Sequence, residues 1–131
     1  MPSQQDHLEQ AKSNERVAKR IEKDFPDWSV TMCFYAALHW VEQYAKKQGV
    51  DIREYDGNSL HARRRQYVDD VAYQLRSRTL RNAYETLERS SRKSRYLEDL
   101  ELSATKYYNQ ERQKVTDAFQ KLQIVQQLLK S

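Results

Sequence analysis

Apolar residues recur along the chain at steps of three and four, the period of a helix with one face turned to a core. The first such segment covers residues 5 to 24, with Leu8, Ala11, Ala18, Ile21 and Phe25 on one side. Proline disfavours helical geometry in the residue before it, so Phe25-Pro26 closes that helix, and Asp27 is placed to cap the next. A second helix, Trp28 to Gln48, is apolar around most of its circumference, as befits a central helix. Gly49 supplies its C-terminal stop, and residues 50 to 59, containing Asp56-Gly57-Asn58, read as a loop.

A third helix from Ser59 aligns Leu60, Val68, Val71 and Leu75, with Arg64 on the same stripe, where an arginine needs a partner or an exit. After a weak break at residues 76 to 79, a fourth helix carries Leu80, Ala83 and Leu87, then Ser90 and Ser94, so its inner face turns small and polar midway. A last helix, about Ser103 to Lys130, lines up Tyr108, Val115, Phe119, Leu122, Val125 and Leu129, widened by Ile124 and Leu128. Short connections between long helices predict an all-α fold, an up-and-down antiparallel bundle of four to five helices forming one domain over residues 1 to 131. The apolar end of the last helix, with Trp40 and Tyr107, is expected to leave surface that a second copy covers.

Composition agrees: 2 Gly and 2 Pro in 131 residues exclude a turn-rich β fold, and 9 Tyr are more buriable surface than a disordered chain carries. The single Cys33, in an apolar run, can form no internal disulfide and suits a reducing cytoplasm. A polar start without signal-peptide character and the lack of a long apolar run lead to the expectation of a cytoplasmic chain without a membrane span.

The net charge of +4 is unevenly spread. Residues 61 to 96 hold 10 basic and 4 acidic side chains, nine of the ten being Arg, while the flanking segments are near neutral. Guanidinium groups suit bidentate contact with phosphate or carboxylate, so a polyanion, RNA above all, is the natural partner class. The sequence has no CxxC, HExxH, glycine-rich phosphate loop or GxSxG, and no metal or cofactor is expected.

Three groups of residues could carry chemistry. His61 opens the third helix beside Arg63, Arg64 and Arg65, where the field of the guanidiniums favours a neutral imidazole fit to act as a base. Tyr84, Glu88, Ser91, Arg92 and Arg95 lie along one side of the fourth helix, followed by Tyr96, with arginine and tyrosine interleaved as on a surface that holds phosphates and stacks on unpaired bases. Tyr35, His39 and Glu42 share one face of the second helix and could form a buried polar site. The simpler alternatives are an exposed first turn, bundle salt bridges and a hydrogen-bonded core histidine.

The run Asp27-Trp28-Ser29-Val30-Thr31-Met32-Cys33-Phe34-Tyr35-Ala36-Ala37-Leu38-His39-Trp40-Val41-Glu42, the His61-Ala62-Arg63-Arg64 helix start, and Tyr84-x-x-Leu87-x-x-Ser90-x-Arg92-x-x-Arg95-Tyr96 together resemble small prokaryotic HEPN-superfamily proteins, over roughly residues 11 to 125. The resemblance implies a helical bundle, commonly a homodimer, in a superfamily whose active members are metal-independent endoribonucleases of toxin, defence and RNA-processing systems. In those members an Arg is followed four to six residues later by His near the start of the final helix. Here no His follows Arg92 or Arg95, and the last helix has none. Arg53 and His61 lie too far apart and too early to take those roles. Three readings follow: an RNA- or anion-binding module; an endoribonuclease with His61, Arg64 and Arg95 as catalytic residues; and a protein-interaction subunit. A nucleotidyltransferase encoded next to it would make the two a toxin and antitoxin pair.

Overall fold

A computed structural model describes residues 1 to 130, and all its regular structure is helical. Six α-helices follow in order: α1 (Gln4–Ile21), α2 (Pro26–Gln48), α3 (Leu60–Gln74), α4 (Arg78–Tyr96), α5 (Ala104–Gln110) and α6 (Arg112–Leu129), with a 3-10 turn at Ile52–Glu54. The all-α bundle is as expected, with one more helix. Central α2 packs against α1, α4 and α6, and α4 against α6, while α3 lies outside on α4 and the 3-10 turn. Among the described residues no helix is long and apolar enough to cross a membrane.

The chain sets most helix ends locally. Ser3 and Asp6 form a reciprocal capping box on α1, and Ser59, Ser77 and Ser103 cap α3, α4 and α5 through their hydroxyls. Gly49 closes α2 at φ 70°, a left-handed geometry that costs glycine little. Asp27 does not cap α2 as expected: Phe25 stands at the cap position without a side-chain bond, and Pro26 fills the first turn, where no amide donor is needed. Asp27 sits inside that turn and accepts the Thr105 hydroxyl at 3.2 Å, tying α2 to α5.

The expected last helix is two. Glu111 (φ −112°, ψ 56°) separates α5 from α6. Unbroken, a helix over 103 to 130 would run about 42 Å, longer than α2 at about 35 Å, and would overshoot the bundle. The break sets α5 as a separate helix against α2, α4 and α6, where Tyr108 is buried and donates to the Ser90 carbonyl at 3.1 Å. The small residues at 90 and 94 are the room for that ring. The same break lets Arg112 donate to the carbonyls of Glu22 (2.9 Å) and Lys23 (2.8 Å) at the end of α1.

Several apolar positions depart from the expected faces. Phe25 is exposed, as are Leu60 and Leu75, because α3 has few neighbours and its core contribution narrows to Tyr67, Val68, Val71 and Ala72. Trp40 is buried at 3% exposure, and Leu122, Val125 and Leu129 are buried in the core where α6 meets α2 and α4, so these four residues do not form the surface expected for a second copy; Tyr107, Ile124 and Leu128 are half-buried.

Candidate functional site

One ridge of α2, Tyr35, His39 and Glu42, runs beside the start of α3 and the end of α4, and the site is assembled along it. Its three members do not converge on a shared centre as expected; each takes a different partner. Glu42 accepts the Arg64 Nε at 2.7 Å, and both side chains are only 13% exposed. The arginine on the α3 stripe thus has its partner, and its charge is neutralised inside the bundle. His39 meets His7 of α1, Nδ1 to Nδ1 at 3.0 Å. Such a contact needs one protonated and one bare nitrogen. Burial first, then the neighbouring His7 and Arg64, pull the His39 pKa down to about 4, while Glu42 opposes them. Burial likewise lowers that of His7.

Tyr35 belongs to the other end of the ridge. Its hydroxyl accepts the Arg95 Nη1 at 3.1 Å, and the Arg95 guanidinium carbon lies 5.6 Å from the Tyr35 ring centre and 4.9 Å from that of Tyr96. The remaining Arg95 donors go to the Ser91 hydroxyl (3.2 Å) and carbonyl (3.3 Å). Arg95 therefore rests on neutral oxygens and aromatic faces, with no carboxylate partner among the described residues. Tyr96, 66% exposed, offers its other face to solvent.

Between the two ends lies Glu88, buried at 4% exposure. The Arg65 Nη1 donates to both its oxygens at 3.1 Å, Arg92 lies 4.0 Å away and His61 Nδ1 3.8 Å away. One carboxylate thus serves two guanidiniums and an imidazole. With Arg64 and Glu42 included, four guanidiniums face two carboxylates, leaving two positive charges at the α4 end. His61 Nδ1 is buried without a hydrogen-bond partner, and so is the Tyr84 hydroxyl. Burial first and Arg64 next lower the His61 pKa, with Arg95 and Arg65 adding to it and Glu88 opposing, so the imidazole is neutral at pH 7.

The expected residues therefore divide. The structure brings His61, Arg65, Arg92, Arg95 and Tyr96 to one place, with Tyr35 beneath. Arg64 is near but spent on Glu42. Arg63 turns away and donates to the Gly57 carbonyl at 2.8 Å. There the loop presses on α3 so closely that a Cβ on Gly57 would stand 2.8 Å from the Arg63 nitrogen. Tyr84 is a correction: it is wholly buried edge-on against Phe34 (ring centres 5.7 Å) and cannot stack on a base. Its hydroxyl, however, is under the influence of Glu88, Arg64 and Glu42 and so lies below the cluster. Glu88 and Ser91, on the same side of α4 as expected, are the groups that hold the arginines: Glu88 takes Arg65 and the Ser91 hydroxyl takes Arg95. No group of three or more His, Cys, Asp or Glu among the described residues is arranged to hold a metal ion.

Compared with family models, with curated proteins and with solved structures, the chain gives no match in any of the three. The chemistry of the site therefore rests on its own geometry: excess positive charge, an exposed aromatic face, a neutral imidazole and two buried polar atoms without partners.

Proposed function

We propose that this bundle is a binding module for RNA, or for another phosphate-bearing or acidic partner, held on the face formed by Arg92, Arg95, Tyr96 and His61. The observation that supports it best is Arg95, a guanidinium oriented by neutral groups and left uncompensated. A structural ion pair would have taken a carboxylate; a phosphate supplies the missing charge, and Tyr96 supplies a stacking face for an unpaired base. Fluorescence anisotropy with a labelled single-stranded oligoribonucleotide tests it. Replacing Arg92 and Arg95 together by Ala should weaken binding at least ~10-fold and reduce the salt slope by about 1 to 2. Unchanged affinity and slope would refute the reading.

A second reading, an endoribonuclease, is favoured by one specific feature. His61 is a neutral imidazole beside Arg95 and Arg65, its Nδ1 buried but its side chain 38% exposed, so that its other ring nitrogen is the one able to take the proton of a ribose 2'-hydroxyl while a guanidinium stabilises the charged phosphorane. Cleavage of an RNA pool in the presence of EDTA, lost in a folded His61→Ala variant, would establish it. Intact RNA with binding retained would leave the binding module alone.

A further inference from the structure

The positive surface does not end at Arg92. Steps of three and four place Arg78, Arg81, Glu85, Arg89, Arg92 and Tyr96 on one outward stripe of α4, opposite the buried Leu80, Ala83, Leu87 and Ser91. Arg78, Arg81 and Arg89 are exposed and Arg92 is half-buried. Arg81 is engaged by Asp69 at 3.3 Å and by Glu85 at 3.1 Å, the one acid on the stripe. Arg78 and Arg89 have no carboxylate partner among the described residues.

Away from the site above, the stripe runs into an open cleft of about 660 Å³ between the last turn of α3 and the first turn of α4, lined by Asp69, Tyr73, Arg76, Arg78 and Arg81. Arg76 is exposed, likewise without a carboxylate among the described residues, and sits at φ 52°, the left-handed position after a helix that glycine takes at less cost. The chain carries a guanidinium there instead. Tyr73 is 86% exposed, so the stripe has an open tyrosine ring at each end, Tyr73 and Tyr96, and guanidiniums between them.

We propose that the cleft is a second nucleotide subsite, and that the ligand is single-stranded RNA laid along the outer face of α4. One base stacks on Tyr96, another on Tyr73, and the phosphates between them meet Arg92, Arg89, Arg78 and Arg76. This rests on the binding reading given for Arg95 and Tyr96 and narrows it. A mononucleotide needs only one end, an acidic peptide has no use for two open rings, and a duplex has no unstacked bases to give them. From Arg78 to Tyr96 the helix rises about 27 Å. A stacked strand at ~3.4 Å per nucleotide covers that length with ~8 nucleotides, and an extended one with fewer.

Fluorescence anisotropy on the full chain with labelled oligouridylates of increasing length tests this. Between about three and about eight nucleotides the affinity should rise at least ~30-fold, well beyond the severalfold that extra binding registers supply, and then level off. A variant with Tyr73→Ala, Arg76→Gly and Arg78→Ala changes only exposed groups, with a glycine that suits the left-handed turn, and circular dichroism verifies its fold. It should keep only the severalfold rise while binding the shortest strand within ~2-fold of the wild type. Affinity indifferent to length, a variant that loses nothing, or one that weakens the shortest strand as much as the longest overturns the second subsite and leaves the binding reading standing. A duplex or a polyglutamate that displaces the longer strand as well as unlabelled single strand does overturns the ligand assignment. A chain that binds no oligoribonucleotide of any length overturns both.

Discussion

The ridge of α2 has a closed end and an open end, built from the same residue types. At the closed end Arg64 has Glu42, His39 has His7, and the buried Gln43 amide donates to the Leu129 carbonyl at 2.9 Å. At the open end Arg95 has only neutral partners, Glu88 is shared by two guanidiniums and a neutral imidazole, and the Tyr84 hydroxyl and His61 Nδ1 have no partner, as Trp40 Nε1 and Gln126 Oε1 elsewhere have none. Buried polar groups are normally satisfied, because leaving one unpaired forfeits its hydration with no return. An arginine alone therefore says little about function. What separates a structural guanidinium from a ligand-binding one is whether the fold has already supplied its counter-charge.

The sharpest way to break this contrast is to make the same substitution at both ends. Arg64→Met leaves Glu42 as an unpaired, mostly buried carboxylate, and should destabilise the fold by about 3 kcal/mol. Arg95→Met removes no counter-charge from a carboxylate, and should cost less than about 1 kcal/mol while weakening oligoribonucleotide binding ~10-fold. Urea melts and anisotropy on the two variants measure both effects. Equal destabilisation would mean that Arg95 is structural and that the two ends do not differ.

Much of the closed end, and most of the fold, was legible in the chain. Pro26, Gly49 and four capping serines mark helix ends by local chemistry, and the three- and four-residue steps give the faces. The demand that Arg64 find a partner was visible from its place on an apolar stripe. The open end was harder to read, because it depends on depth and register between helices. Tyr84 shares a helix face with Arg92 and Arg95 by spacing, yet lies one layer deeper, since α2 brings Phe34 against it. His7 meets His39 across 32 residues, a contact set by how α1 folds back on α2 and by no pattern within either helix. The break at Glu111 carries neither Gly nor Pro; it follows from the length of the bundle and the seat for Tyr108.

Acid should undo the closed end first. In the folded protein the His39 pKa lies near 4, below its ordinary value of 6.5, so between these limits the unfolded chain binds more protons and stability falls as pH falls. Glu42 and Asp6 on its neighbours favour a charge on the pair, while Lys46 and Arg64 oppose one. The full shift corresponds to about 3 kcal/mol, and solvent screening of a half-buried ring reduces this to about 2 kcal/mol. Urea melts at pH 7 and pH 4 on the wild type and on His39→Asn check it: the variant should lose about 2 kcal/mol less on acidification. An identical loss would show that the pair does not control the acid limb.

The smallest effect is the most discriminating for the open end. Tyr84 is wholly enclosed, and its hydroxyl has no partner, so the free protein holds a desolvated donor beneath Glu88 and Arg64. Tyr84→Phe keeps the ring and its contact with Phe34 while deleting that hydroxyl, and should raise stability by up to about 1 kcal/mol. Were the hydroxyl instead quietly satisfied, its loss would lower stability by a similar amount, and the contrast between the two ends would shrink to Arg95 alone.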